Sequence, residues 1–375
     1  VNRTYSDFYV GNTFQLNVNV VPYQIRDEKV IYETSDENIA TISETGLVSL
    51  VGAGPVTIDV YLEMDNTLRQ EFKFVVFDEL DMNDPFDYAI STMVNYSIFR
   101  SWNVYGVNFD YTAEYLDSVS KLLIGDIEID LSMMIPGECP QIRPGSAAPR
   151  LKPNLPDEQI YNPEYVQYVV VHETANTDVG GGALWHANYL MNGYLNGTDR
   201  YASWHYTVDD KKIYQHIPLE EVAYHAGDGS TVAGSPWRDG NQGGIGGGNR
   251  NGIGIETSVA HGDNIMSIWH RTARLSAKLS KQFNLPANDH MGNVKFHQDF
   301  SGKVCPQSMI NAGLTGYFYD LVEKEYYREY NFPGLMLSIN SHNTEYLTND
   351  GRLNKVPYKA VTVSYDLTIT YNGES

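Results

Sequence analysis

Up to about residue 79 apolar and polar positions alternate, as in "QLNVNVV", where the alternation runs from Leu16 to Val20, and again in "TIDVYLEM" and "FKFVVF". A period of two predicts strands with one buried face. Gly46 and the run Gly52-Ala53-Gly54-Pro55 fall between these stretches as turn signals. Residues 1–79 therefore predict an all-β sandwich. Over residues 80–150 the pattern loosens. "PFDYAISTMVNYSIFRSW" and "TAEYLDSVSKLLIG" read as helices, and "PGECPQIRPGSAAPRLKPNLP" as a Pro-rich connector. Residues 151–325 then mix strand and helix signals. "YVQYVVVH" and "NGIGIETSV" are short continuous apolar runs, the signature of interior strands. "SWHYTVDDKKIYQHIP" reads as a hairpin turning at Asp209-Asp210-Lys211. "NIMSIWHRTARLSAKLSKQF" spaces Ile265, Ile268, Trp269, Leu275, Leu279 and Phe283 along one helix face. The prediction is a central α/β domain, a mixed sheet flanked by helices. Residues 326–375 look β-rich and incomplete, so the fold class is multidomain.

Composition narrows the function classes. The chain has 375 residues, enough for two or three domains. Its 26 Lys plus Arg against 47 Asp plus Glu leave a formal charge of −21. A nucleic-acid binder neutralises phosphates with cations, so that balance argues against one. It argues equally against a polybasic membrane-surface protein. No apolar run approaches the roughly 20 residues that span a bilayer, which leaves no membrane insertion to expect. Most of the acidic excess lies outside residues 151–325, so net charge would not draw the flanks to an anionic surface. Two cysteines, Cys139 and Cys305, cannot make a disulfide framework, and Cys139 reads as an unpaired thiol in the connector. The chain begins at Val1 and stops in a strand-like run, which reads as a piece of something longer.

Candidate chemistry gathers in the central domain. His172 ends an apolar strand, His297 opens "HQDFSGKVC", and Cys305 closes it. Two imidazoles and one thiolate make a three-ligand set that leaves a fourth tetrahedral position for water, as a catalytic zinc site requires. By spacing alone a histidine at a strand end is more often hydrogen-bonded structure than a ligand. Glu256 lies inside an apolar strand, where a carboxylate is expensive unless used. Lys303, two residues before Cys305, would leave an extended segment on the same face as the thiolate, where an ammonium could stabilise an oxyanion. The plain alternatives are a paired carboxylate for Glu256 and a solvated loop lysine for Lys303.

Four segments in one order, "VVVHETAN", "ASWHYTVDDKKIYQHIPLEEVAYHAGDG", "NRNGIGIETSV" and "HQDFSGKVCP", resemble the type 2 family of N-acetylmuramoyl-L-alanine amidases. That family includes phage endolysins, bacterial autolysins and peptidoglycan-recognition proteins. The resemblance implies one zinc ion held by His172, His297 and Cys305, with Glu256 as activating carboxylate and Lys303 as the basic residue near the third ligand. It implies hydrolysis of the amide between the lactyl group of N-acetylmuramic acid and L-Ala of the stem peptide. The partner implied is peptidoglycan, and the location is extracellular, wall-associated or that of a phage lysin. Some members carry a catalytic Tyr where this chain has Trp204, and a one-residue shift would turn Tyr206 to the opposite face. His225 resembles a groove-lining position, with Trp204, Asn249 and Arg250 as further candidate substrate contacts and Trp237 as another stacking candidate. His186, His216, His261, His270, His290 and His342 read as exposed or helix-surface residues. "VGNTFQLNVNVVP" through "VGAGPVTIDVYL" resembles a bacterial Ig-like domain of group 2, on Gly11, Ser35-Asp36, Ile39–Ile42, Gly46-Leu47-Val48 and Gly54. The competing expectation is a non-catalytic peptidoglycan-binding or adhesive surface protein, against which the third ligand, Cys305, speaks. Oligomeric state is left open.

Overall fold

A computed structural model describes residues 8–16, 28–78, 80–93, 118–136, 156–162, 164–197, 202–227, 247–287, 290–354 and 363–375, with a few isolated positions between. Cys139, Trp237, nearly all of the Pro-rich connector and most of the Leu16–Val20 run lie outside the described residues. Two compact units emerge, Val1–Tyr96 and Ser97–Ser375.

The first unit holds β1 (Thr13–Gln15), β2 (Val30–Thr34), β3 (Ala40–Ile42), β4 (Leu47–Leu50), β5 (Gly54–Leu62), β6 (Asp65–Val76) and α1 (Pro85–Ser91). Two antiparallel sheets, β1-β4-β3 and β2-β5-β6, enclose one core. Alternate residues supply it: Val48 and Leu50 from β4, Val56 and Ile58 from β5, Phe74 and Val76 from β6. Phe8 lies on Phe14 and Phe74, with ring centroids 5.0 and 4.4 Å away. Gly46 sits in the turn before β4 with φ +83°, and a Cβ there would come within 2.9 Å of the Leu16 carbonyl oxygen, so the turn signal has a steric cause. Asp84 caps α1 by accepting from the backbone N–H groups of Phe86 and Asp87. That helix is shorter than the expected one; it ends at Ser91.

The second unit begins with a short antiparallel pair, β7 (Asn103–Val104) and β8 (Val107–Asn108), then β9 (Ile129–Asp130), β10 (Tyr168–Glu173) and α2 (Ala183–Asn196). The hairpin β11 (Tyr206–Val208) and β12 (Ile213–Gln215) follows, then α3 (Gly248–Asn251), β13 (Gly252–Thr257) and α4 (Ile265–Gln282). The chain closes with α5 (His290–Asn293), β14 (Val294–Phe296), α6 (His297–Ser301), α7 (Gln307–Asn311), α8 (Thr315–Asn331), β15 (Met336–Ser341) and β16 (Tyr365–Thr370). Six strands form one mixed sheet in the order β14-β10-β13-β11-β12-β9, antiparallel only at the β11–β12 hairpin. Strand alternation gives the sheet two different faces. Val169 and Val171, Ile253 and Ile255, and Tyr206 and Val208 join Ile268, Trp269 and Leu275 of α4 in the main core. The alternate positions, among them His172 and Glu256, face the other way. Across that face His172 is in register with Glu256, and Glu256 with Thr207.

Two expectations about the flanks change. Ser118–Gly125 is not helical; Leu122, Leu123 and Ile124 are all buried, and backbone groups of this stretch bond to distant parts of the unit. Residues 118–130 instead strap across the unit. Val119 donates to the Gly351 carbonyl, Leu123 to the Glu325 carboxylate and Gly125 to Leu337, and β9 adds the edge strand beside β12. Helix α8 runs through residue 325, the expected boundary, and the β15–β16 hairpin follows it. A buried ionic cluster ties these pieces. Arg274 meets Asp126 at 2.9 Å, Glu325 at 3.3 Å and Glu329 at 2.9 Å. Arg328 donates to the carbonyls of Leu335, Leu123 and Gly125. No helix among the described residues is long and apolar enough to cross a membrane.

Candidate metal centre and cleft

The polar face of the mixed sheet is built strand by strand. His172 occupies the last cleft-facing position of β10, after Tyr168 and Val170 have packed against Phe300 on the same face. Beside it β13 presents Gly252, Gly254 and then Glu256. A Cβ at Gly254 would come within 2.8 Å of the His225 ring, so the glycine-rich rhythm of "GIGIE" leaves room for an imidazole next to the carboxylate. His297 opens α6, whose Gly302 cap adopts φ +76° and turns the chain back toward the sheet. That reversal delivers Cys305, which is 1% exposed.

His172, His297 and Cys305 each offer a ligand atom, all within 4.8 Å of one another, and they are the one such cluster among the described residues. The two imidazoles face each other through Nδ1, 3.0 Å apart. The other nitrogen of His172, Nε2, lies 2.8 Å from His225 Nδ1. A hydrogen on His172 Nε2 pointing at His225 leaves Nδ1 as a lone-pair donor, the tautomer a metal requires. The Cys305 sulfur accepts from the Glu173 backbone N–H at 3.3 Å. Burial, followed by the neighbouring Glu256, pushes the thiol well above its ordinary range. Burial lowers His297 to about 4, with Lys303 adding to the effect, and holds His172 well below its usual value. Neutral imidazoles and a buried sulfur poised for an added cation suit zinc. Glu173 itself is turned away, and both carboxylate oxygens accept from the Ser308 N–H at the start of α7.

A cleft of about 600 Å³ opens over this cluster, lined by Glu256, Lys303, His225 and Trp204 together with His297 and Cys305. The structure thus brings together the five residues that sequence spacing singled out. Four further candidates have different surroundings. His225 is packed between the rings of His172 and His205, with centroids 4.9 and 6.2 Å away, and burial lowers it to about 3. Trp204 is 6% exposed, belongs to a cluster with Ile135, Leu190 and Ile217, and donates its indole N–H to Thr207 Oγ1 at 2.8 Å. Asn249 does not line the cleft. Its Oδ1 accepts from the backbone N–H groups of both His225 and Ala226 at 2.7 Å, which fixes the loop that holds the His225 ring. Arg250, on the same short helix α3, is also outside the lining. Tyr206 is buried on the α4 side, with its hydroxyl on Gln215.

The surface reading of six histidines fails for three. His186, His216 and His270 are buried, at 4%, 0% and 3% exposure, and each ring has a polar neighbour there: the Gly182 carbonyl, Thr207 Oγ1 and the Tyr317 hydroxyl. His216 Nε2 meets Thr207 Oγ1 at 2.7 Å. Sequence reasoning also missed Arg150, at the end of the Pro-rich connector. Its buried guanidinium donates to the carbonyls of Leu219, Glu221, Arg250 and Gly252, beside His205. Burial lowers it to about 10, so it stays cationic. It missed Trp185, Tyr189, Asn176 and Asp178, which also line the cleft; the one available signal was two aromatic residues four apart in "ALWHANYL".

Residues 162–308 match the family described as N-acetylmuramoyl-L-alanine amidase, and residues 7–67 match the bacterial Ig-like domain, group 2. The chain is 38% identical over 156 residues to the N-acetylmuramoyl-L-alanine amidase XlyA of Bacillus subtilis (strain 168), covering 40% of this chain and 44% of that protein. It is 36% identical over 152 residues to CwlH of the same organism, an enzyme of the same name, covering 40% and 52%. A solved mutant endolysin from Bacillus subtilis is 33% identical, with 52% of this chain and 99% of that one covered and a TM-score of 0.38. The chain spans about half the length of the curated relatives it matches.

Proposed function

Because residues 162–308 form a domain of the N-acetylmuramoyl-L-alanine amidase family, we propose that this protein is a zinc-dependent peptidoglycan hydrolase. It cleaves the amide between the lactyl group of N-acetylmuramic acid and L-Ala of the stem peptide. The observation that supports this best is the meeting of His172, His297 and Cys305 beside Glu256 in one cleft. The two His Nδ1 atoms and the Cys305 sulfur would hold zinc, and a zinc ion there supplies Lewis acidity toward a carbonyl and acidifies water. Glu256 takes the proton of the attacking water and returns it to the leaving amine. Lys303, which also lines the cleft, faces the oxyanion as charge develops. His225 holds His172 in its metal-competent tautomer, and Asn249 holds His225. The wall is the site of action, reached from outside the cell or by a phage lysin. The Ig-like domain supplies attachment that net charge cannot.

The test uses purified cell walls. Wild-type protein should release new amino termini without new reducing ends. Glu256→Ala should lower that release by about 10²- to 10⁴-fold, the usual worth of a general base, with bound zinc unchanged. New reducing ends in place of amino termini would identify a glycosidase and end the proposal. Cys305→Ser should weaken zinc binding; unchanged stoichiometry would remove the thiolate from the site.

A further inference from the structure

One wall of the cleft takes no part in the chemistry above. We propose that Trp185, backed by Tyr189, is a stacking platform for a pyranose ring of the glycan strand, so that the cleft holds saccharide as well as stem peptide. The inference rests on the amide-hydrolysis reading and adds a binding subsite to it.

Trp185 lies on the first turn of α2 and is 46% exposed, the one exposed Trp, Tyr or Phe among the described residues. The ring is nonetheless held rigidly. Tyr189, one turn on, stacks against it at 5.4 Å and 8°. Tyr189 itself packs on the cluster of Leu190, Trp204 and Ile217. The His186 ring stands edge-on to Trp185 at 4.9 Å, anchored by a 3.0 Å contact between Nδ1 and the Gly182 carbonyl. A rigid, exposed aromatic face loses little entropy on binding.

The same cleft presents Asn176 and Asp178, from the loop that leads into α2. That loop is closely folded: Asn176 Oδ1 accepts from the Asp178 N–H at 3.1 Å, and Gly181 donates to the Asp178 carbonyl at 2.9 Å. An aromatic face together with amide and carboxylate groups matches a pyranose, which has a C–H face and a rim of hydroxyls. An anionic stem peptide suits the Asp178 side poorly, since like charges repel, whereas neutral hydroxyls donate to a carboxylate. At about 600 Å³ the cleft is also larger than the scissile amide alone would fill.

Full-length protein, Trp185→Ala and Trp185→Tyr are compared on purified walls and on an N-acetylmuramoyl peptide that carries no further sugar. Trp185→Ala should raise KM on walls about tenfold, the scale of a lost aromatic anchor, with kcat nearly unchanged, and Trp185→Tyr should recover most of the loss. The effect on the single-sugar substrate should be clearly smaller. Chitotetraose binding, followed by calorimetry, should be present in wild type and lost in Trp185→Ala. Equal losses on the two substrates would assign the ring to the stem peptide and overturn the proposal, as would an unchanged KM or chitotetraose binding that ignores Trp185. If wild-type protein cleaves no wall amide yet binds chitotetraose through Trp185, the reaction assignment falls and the platform stands.

Discussion

The two units put opposite things in their interiors. Among the described residues of 8–93, Thr92 is the one polar side chain that is buried; the rest of that interior is Phe, Val, Leu, Ile, Ala and Tyr88. The second unit buries His172, His205 and His216, Glu173 and Glu325, and Arg150, Arg274 and Arg328. An apolar interior tolerates exchange of similar shapes, because its attraction has no direction. A buried ionic interior is directional, and leaving one member without its partner exposes the full desolvation cost of the other. The first unit is therefore held by shape. The second is held partly by groups that could otherwise do chemistry, and only those on the cleft face are open to a ligand.

The comparison breaks most visibly at the buried cluster. Glu325→Ala leaves Arg274 and Arg328 without a carboxylate they share, and should destabilise the second unit by about 3–5 kcal/mol. Ile58→Ala should cost the first unit a similar ~2–5 kcal/mol through a cavity while leaving bound zinc unchanged. Calorimetry of the full chain reads both; if each variant lowers the same single transition, the two units unfold as one.

A smaller effect sharpens the contrast within the second unit. His225→Ala removes the acceptor that orients His172, and should weaken zinc affinity about 10- to 100-fold in a chelator competition, with His225→Asn recovering part of it. Undiminished affinity in the alanine variant would return His225 to a role in the groove alone.

The smallest expected effect is a pH dependence. Burial, opposed by the Ser258 hydroxyl and reinforced by Asp210 and Asp209, raises Asp263 to about 6 from an ordinary 3.8. The folded state then favours the protonated carboxyl. Its contribution is fully present below about pH 4 and is lost as pH rises through about 6. Asp263→Asn should flatten this slope by about 1 kcal/mol, after solvent screening is allowed for. A slope unchanged in that variant would place the titration elsewhere.

Much of the plan was open to reading from residue order. Period-two alternation located β5 and β6, and the apolar runs located β10 and β13, because burial of one or both faces leaves a direct imprint on composition. The strand end "VVVH", the segment "HQDFSGKVC" and the carboxylate in "GIGIE" singled out five residues, of which Glu256, His297, Lys303 and Cys305 line one cleft and His172 meets His297 and Cys305 beneath it. The stretch 118–125 reads as helix in the sequence and is not one, since its buried leucines answer to α8 and the β15–β16 hairpin, more than two hundred residues away for the Arg328 contacts. Buried histidines were read as surface ones for a related reason. A polar side chain carries no local sign of whether distant carbonyls or hydroxyls will meet it.

Sequence by itself determined the strand faces of β10 and β13, which residues offer candidate metal donors and the carboxylate in β13, since these follow from side-chain chemistry and a period of two. Tertiary structure alone decided that Asn249 holds His225 and His225 holds His172, and that Arg150 fastens the connector beside them. It also decided that Trp185, not Trp204, offers an open ring to the cleft. Those outcomes depend on which elements cover which face, and coverage is a property of packing that no single segment encodes.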